Sequence, residues 1–226
     1  YVLDAVGGVA PERVVIVVGH KSDWVRKTMG EEPVSLPVEF VEQRVLRGTG
    51  DATEIGLVGL LDELDDEDVM VVPGDAPLLR AESLAALRDR HRGADVSATL
   101  VTFELADDSH SGRVIRGRNE AVIAVREPTD VTEERPAGAE VSAGIYCFCR
   151  SVLAPALRRV EARNALGEFC LADVVEVLAR AGHAVQTFFS DDPLELAGVD
   201  DRFQLAVAES ELRRRTNEKW LRSGVT

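Results

Sequence analysis

The stretch Val69-Met70-Val71-Val72-Pro73-Gly74-Asp75-Ala76-Pro77-Leu78-Leu79 passes from an unbroken apolar run straight into Gly-Asp. An apolar run of this length without polar alternation reads as a strand covered on both faces of a parallel sheet. The glycine lets the backbone turn tightly, so the Asp75 carboxylate is presented at the carboxyl end of the strand, where open α/β sheets bind their ligands. Asp75 is therefore a candidate ligand residue. Capping of the turn or helix that follows is its competing role.

Working outward, Arg13-Val14-Val15-Ile16-Val17-Val18-Gly19 is a second buried run that ends in glycine at the same edge. The pattern predicts the end of an amphipathic helix over 1–6, a helix from a capping Ser22 to about 29, and a strand over 38–41. It continues with a helix over 49–64, another over 81–90 and a strand over 96–103. Strands alternating with helices predict an α/β fold with an open, mostly parallel sheet flanked by helices. From Arg113 the strands shorten, over 113–116 and 121–125, around the turn-like Gly117-Arg118-Asn119. A strand over 140–148, helices over 152–161 and 171–181, a strand over 184–188 and a charged helix over 201–221 complete the reading. No internal repeat or low-complexity linker divides the chain, so 1–226 reads as one domain.

Of 226 residues, 45% are hydrophobic and 29% charged, the balance of a folded globular chain. Lys and Arg number 26 against 40 Asp and Glu, a formal charge of −14. That field argues against nonspecific nucleic-acid or anionic membrane binding. A phosphorylated ligand needs backbone amides, a metal ion or local cations to offset it. Cys147, Cys149 and Cys170 are too few and too uneven for a disulfide framework. Cys147-x-Cys149 sets two thiols on one face of a strand, and buried reduced thiols are the favoured reading over metal binding. The absence of an apolar run long enough for a membrane span and of a signal pattern points to a cytoplasmic protein.

A second pair of acids, Asp200-Asp201, follows Gly198-Val199 and precedes the final helix, where helix capping and metal binding are both open. With Asp75 it offers carboxylates from distant parts of the chain, the usual protein share of a Mg²⁺ site completed by phosphate and water. Arg47-Gly48-Thr49-Gly50 opens a helix with free amides that can face an anion or a nucleobase, though without P-loop spacing. Asn164-Ala165-Leu166-Gly167-Glu168 reads as an ordinary loop, and Arg213-Arg214-Arg215 as a solvated face. His20, His91, His110 and His183 have no metal-ligand spacing and are expected in surface or loop positions. Neither G-x-S-x-G nor a cysteine with a paired histidine is present, so nucleophilic hydrolysis has no support.

Taken in order, Gln43 with Gly48-Thr49-Gly50, Gly74-Asp75-Ala76-Pro77-Leu78, Gly112-Arg113-Val114, Glu127, Gly144-Ile145-Tyr146, Asn164-Ala165-Leu166-Gly167-Glu168 and Gly198-Val199-Asp200-Asp201-Arg202 carry a resemblance across nearly the whole chain. They resemble the uridylyltransferase domain of the bifunctional N-acetylglucosamine-1-phosphate uridylyltransferase and glucosamine-1-phosphate acetyltransferase, within the sugar nucleotidyltransferase superfamily. The resemblance implies a Rossmann-like, glycosyltransferase-A-like nucleotidyltransferase fold. It also implies a reaction of UTP, or another nucleoside triphosphate, with a sugar 1-phosphate to give a nucleotide sugar and pyrophosphate. By the same resemblance Gln43, Gly48 and Thr49 contact the base, Asp75 and Asp200 hold Mg²⁺, and Gly112, Glu127 and Ser142 hold the sugar.

The departures bear on substrate identity. The family's Gly-rich first loop, with an arginine and a lysine that hold the triphosphate, would precede Tyr1, and without it catalysis is expected to be poor. The family's asparagine at the second metal position is Asp200, a glutamine near the base is Leu46, and a sugar-site Asn-Thr-Gly is Ser142-Ala143-Gly144. Cys170 and Ala172 stand where a tyrosine and a threonine follow Gly167-Glu168. Trp220-Leu221-Arg222-Ser223-Gly224-Val225-Thr226 resembles the join to a left-handed β-helix acetyltransferase domain, but no hexapeptide repeats follow. Acetyl transfer is not expected of these residues, and any oligomer would form through that further region. The competing expectations are a nucleotidyltransferase for another sugar or base and a noncatalytic nucleotide-sugar-binding paralogue.

Overall fold

A computed structural model describes residues 1–31, 36–60, 67–104, 112–127, 138–164 and 166–225. The β-branched run forms β1 (Val14–Val18), which pairs in parallel with β2 (Val38–Glu42), Val14 opposite Val38 and Val18 opposite Glu42. These two strands make a small sheet of their own. The expected full burial of β1 is not met, since only Val18 is buried and the other positions are half-buried. Short α1 (Val2–Gly7) precedes them, and α2 (Ser22–Glu31) is the crossover between them. Ser22 is the first residue of that helix and does not cap it; its hydroxyl turns across to Glu42 Oε1 at 3.5 Å.

The larger sheet contains β3 (Asp68–Val71), β4 (Ala98–Glu104), β5 (Arg113–Arg116), β6 (Val122–Arg126), β7 (Glu140–Cys149) and β8 (Val185–Phe189). Its order is β6-β5-β7-β4-β8, with β3 also on β7. β3, β4, β5 and β8 run one way, so strand direction is mostly parallel, while β6 and β7 run against them. β7 acts as a spine. β4 lines one of its edges; on the other, β3 covers Tyr146 to Cys149 and β5 meets Val141. Residues 143–145 lie in the interval between those two strands. Opposite them, between the pairs Leu100–Tyr146 and Thr102–Ser142, β4 has only Val101 where β7 has three residues. That bulge turns on Gly144, whose φ of 71° is the left-handed conformation glycine adopts without steric cost.

Side chains alternate across the sheet as the two-residue period demands. Leu100, Tyr146 and Phe148 enter a core on one face with Leu153 of α5 (Arg150–Leu157) and Val174 and Val175 of α6 (Asp173–Arg180). Val101, Val141 and Ile145 enter a second core on the other face with Ala5 of α1 and Leu84 and Leu87 of α4 (Ala81–Arg92). Helices therefore cover both faces, and the arrangement is a Rossmann-like α/β layering. Between β2 and β3, α3 (Thr49–Val58) is shorter than the expected 49–64, and its carboxyl end is capped at Gly59. Residues 61–66 of that expectation lie outside the described residues. His91, expected at the surface, is buried on the last turn of α4.

The final helix, α7 (Arg202–Arg222), opens with a capping box: Asp201 Oδ1 accepts from Gln204 N at 2.7 Å, and Gln204 Oε1 accepts from Asp201 N at 3.0 Å. Asp201→Ala is expected to cost about 1 kcal/mol. For a chain of this size that is a fall of roughly 2–4 °C in Tm by calorimetry, whereas Asp201→Asn should be nearly silent. Among the described residues no helix is long and apolar enough to cross a membrane.

Candidate functional site

Gly19, Gln43 and Asp75 follow the carboxyl ends of β1, β2 and β3, as strand-then-turn segments of an α/β sheet should. The candidate residues fall into three groups.

The first group is built on the turn into α3. Gln43 is buried, and its Nε2 donates to Gly48 O at 3.2 Å and to Asp51 Oδ2 at 2.7 Å. Arg47 pairs with the same Asp51 at 3.2 Å, and its guanidinium lies over the Phe169 ring at 6.0 Å. Gly50 N donates to Phe169 O and Phe169 N to Arg47 O, both at 2.7 Å, so the turn is stitched to residues 169–171 as if to a neighbouring strand. Thr49 Oγ1 accepts from Leu171 N at 2.9 Å. Gln43, Gly48 and Thr49 therefore stand together, and the side chains of Gln43 and Thr49 are partly spent on holding the turn. Asp51 is not among the sequence candidates; its i,i+4 spacing from Arg47 is the available signal. Leu46 is exposed and packs its Cδ2 beside Gly19, 2.6 Å from where a Cβ would stand.

The second group surrounds the β7 bulge. Ser142 N donates to Gly112 O at 2.8 Å, and a Cβ on Gly112 would lie 3.2 Å from Glu127 Oε1. Gly112, Glu127 and Ser142 are thus brought together from three segments. Ser142 Oγ lies 3.1 Å from the Tyr146 hydroxyl and accepts from Gly144 N at 3.2 Å. Burial, reinforced by the Glu127 charge, holds the Tyr146 phenol above its ordinary pKa, so it stays protonated as a hydrogen-bonding group. Cys170 is pushed up to about 11, chiefly by burial and then by Glu127. Asn164 organises the loop beside it. Its Oδ1 accepts from Leu166 N and Glu168 N, and its Nδ2 donates to Glu168 O and Cys170 Sγ. The expected ordinary loop is thus a side-chain-stapled one that links the first group to the second.

The third group is the acidic pair. Val199 N donates to Asp75 O at 2.9 Å, and the Asp75 carboxylate lies 3.4 Å from where a Cβ on Gly198 would stand. The segment Gly198-Val199-Asp200 therefore lies against Asp75. Gln204 Oε1 accepts from Asp200 N at 2.5 Å and fixes that residue at the foot of α7. Asp201 takes the capping role, which leaves Asp200 free of it. Both Asp75 and Asp200 are exposed, and no hydrogen bond or ion pair engages either carboxylate among the described residues. Two uncommitted oxygen donors of this kind fit a hard dication that keeps most of its water and phosphate ligands.

The sequence matches the family model described as nucleotidyl transferase over residues 1–220. It is 38% identical over 228 residues to the bifunctional protein GlmU of Corynebacterium aurimucosum, covering 100% of this chain and 46% of that one. It is 35% identical to the bifunctional protein GlmU of Shouchella clausii (100% and 48% covered) and 36% identical to that of Mycobacterium bovis (100% and 46% covered). The chain thus spans about half the length of these curated relatives. Among solved structures it resembles HddC from Yersinia pseudotuberculosis with a TM-score of 0.57 at 14% identity, over 83% of this chain and 73% of that one. At that identity the likeness speaks for the fold.

Proposed function

Because the chain belongs to the nucleotidyl transferase family, we propose that it joins a nucleoside triphosphate, UTP in the first instance, to a sugar 1-phosphate with release of pyrophosphate. N-acetylglucosamine 1-phosphate is the sugar phosphate the resemblance of its motifs favours. The observation that carries the reading is the packing of Gly198-Val199-Asp200 against Asp75, which brings the segments bearing two uncommitted carboxylates together past the carboxyl end of β3.

In this reading the turn at Gln43, Gly48 and Thr49 receives the base. Its edge-on backbone, fixed by the bonds to residues 169–171, supplies a rigid frame for a planar ring. Gly112, Glu127 and Ser142 receive the sugar: Glu127 accepts from a sugar hydroxyl, and Ser142 Oγ, backed by Tyr146, offers a donor or an acceptor. Asp75 and Asp200 would hold Mg²⁺, which when bound neutralises charge on phosphate oxygens. The sugar phosphate oxygen attacks the α-phosphorus in line with the departing pyrophosphate, so no protein nucleophile is called for. The chain's work is to position the two substrates within attacking distance.

The test is pyrophosphate release from a panel of nucleoside triphosphates and sugar 1-phosphates in the presence of Mg²⁺. Preference for UTP with N-acetylglucosamine 1-phosphate supports the reading; release with another pair only would move the substrate while keeping the chemistry. That second outcome has a specific observation in its favour, since Leu46 covers Gly19 and the short Ser142 hydroxyl stands in the sugar group. Ser142→Asn is expected to shift preference among sugar 1-phosphates by about 1–3 kcal/mol, roughly 5- to 150-fold in kcat/KM, because one buried hydrogen-bonding partner changes reach. Competition kinetics between two sugar phosphates reads that ratio.

A further inference from the structure

At the other end of β3 from the candidate site, three potential ligands meet. Asp68 is the first residue of β3, His91 lies in the last turn of α4, and Cys149 is the last residue of β7, directly opposite Asp68 in the ladder. His91 Nε2 lies 3.5 Å from Asp68 Oδ1 and 3.6 Å from Cys149 Sγ, and the three donor atoms all lie within 4.8 Å of one another.

We propose that Asp68, His91 and Cys149 form a binding site for one borderline-soft dication, Zn²⁺ in the first instance, separate from the nucleotide edge. The argument is geometric. A tetrahedral zinc, with bonds of about 2.3 Å to sulfur and about 2.1 Å to nitrogen and oxygen, holds its ligand atoms about 3.4–3.6 Å apart. The two separations from His91 Nε2 already match that edge length. The donor set, one thiolate, one imidazole and one carboxylate, is that of a zinc site with a fourth position left for water.

The surroundings orient each ligand, and the Cys149 thiol donates to Val96 O at 3.3 Å. His91 Nδ1 lies 2.9 Å from Thr99 Oγ1, which in turn accepts from Gln186 Nε2 at 3.0 Å. Thr99 can accept Nδ1–H, and that tautomer leaves the Nε2 lone pair aimed between Asp68 and Cys149. Arg92 Nε donates to Asp68 Oδ2 at 2.6 Å, which fixes the carboxylate and leaves Oδ1 turned to His91. His91 is buried, Asp68 and Cys149 are half-buried, and the cluster therefore has an approach from solvent.

A cysteine–histidine nucleophile is a worse fit to the same atoms. Asp68 and Cys149 both face Nε2, so the carboxylate does not stand behind the ring to polarise it toward the thiol. Burial, and then the Asp68 charge, pushes the Cys149 thiol up, and burial lowers His91. On binding, the Cys149 S–H bond breaks, a sulfur–metal bond forms and the proton leaves to solvent. The bound ion would tie β3, α4 and β7 at a point where β7 leaves the sheet.

The test is a Co²⁺ titration of the reduced, metal-stripped protein followed by absorption. The expected result is a cysteinate-to-cobalt charge-transfer band with strong tetrahedral ligand-field bands, saturating at one ion per chain and displaced by Zn²⁺. Cys149→Ser should remove the charge-transfer band and Cys147→Ser should keep it. Thr99→Val, which keeps side-chain shape, should weaken affinity about 10- to 100-fold. No thiolate band in the unsubstituted protein overturns the proposal, as does a band that survives Cys149→Ser. Should Cys149→Ser fail to fold by circular dichroism, unchanged affinity in Thr99→Val and Asp68→Asn overturns it equally. Nucleotidyl transfer plays no part in this readout.

Discussion

Asp75→Asn is expected to lower the rate of pyrophosphate release by about 10²- to 10³-fold while leaving Tm unchanged. The substitution keeps shape and removes one anionic oxygen donor from the acidic pair, and hard dications bind neutral amide oxygens more weakly than carboxylates. Stability should not follow activity. The Asp75 side chain is exposed and unengaged among the described residues, and its contact with Val199 runs through the backbone carbonyl, which asparagine keeps. Surface changes away from such contacts stay within about 0.5 kcal/mol. The Mg²⁺ concentration for half-maximal rate should rise in the same variant. Asp200→Asn should behave alike, and the double variant should lose much less than the product of the two, because both carboxylates serve one function. Steady-state kinetics across a Mg²⁺ series, with calorimetry on each variant, checks all three statements.

Gly48→Ala should damage fold and nucleotide binding together. Gly48 has φ 102° and ψ 177°, a region essentially confined to glycine, and strain there costs about 1–3 kcal/mol. A Cβ would also stand 2.5 Å from Phe169 O and 2.9 Å from Phe169 N. Either the turn or residues 169–171 must withdraw, which breaks the paired bonds from Gly50 to Phe169 and from Phe169 to Arg47, each worth about 1 kcal/mol. A fall in Tm of roughly 5–15 °C is the expected calorimetric result. The frame offered to the base moves with it, so nucleotide affinity should drop at least about tenfold, the equivalent of 1.4 kcal/mol. Gly30→Ala in α2, where a Cβ meets nothing within 4 Å, is the control: it should leave nucleotide affinity unchanged and, by adding helix propensity, should not lower Tm.

These two residues mark what the sequence makes legible. The apolar run ahead of Gly74-Asp75 has no polar alternation to confuse its period, and it is found as β3 with Asp75 past its carboxyl end, but half-buried rather than fully covered and paired antiparallel to β7 instead of lying in a parallel sheet. Asp200-Asp201 could be read as a cap or as a ligand pair; Gln204, three residues after Asp201, closes the capping box and assigns that role to Asp201. Strand neighbours are a different matter. Nothing in 140–148 states that β7 runs against β3, β4 and β5 or serves as their common spine, because a two-residue period fixes faces and says nothing of partners. The bulge at Gly144 is hidden for the same reason, since its count depends on residues in β4. The helix expected over 49–64 extends past Val58 because its apolar spacing continues after the turn at Gly59 has ended the helical hydrogen bonding. Asp68, His91 and Cys149 belong to three elements, so no ligand spacing along the chain could announce them. The favoured reading of Cys147 as a buried reduced thiol fits its position, with burial pushing it up to about 12.

The most direct measurement of the central claim follows the α-phosphate. UTP labelled there and made chiral by sulfur substitution is incubated with the protein, Mg²⁺ and N-acetylglucosamine 1-phosphate, and the product is analysed for label and configuration. A single in-line displacement positioned by Asp75 and Asp200 predicts label in the nucleotide sugar, inverted configuration at phosphorus and an equivalent of pyrophosphate released. Retained configuration, label on the protein, or label only in free nucleoside monophosphate would contradict it.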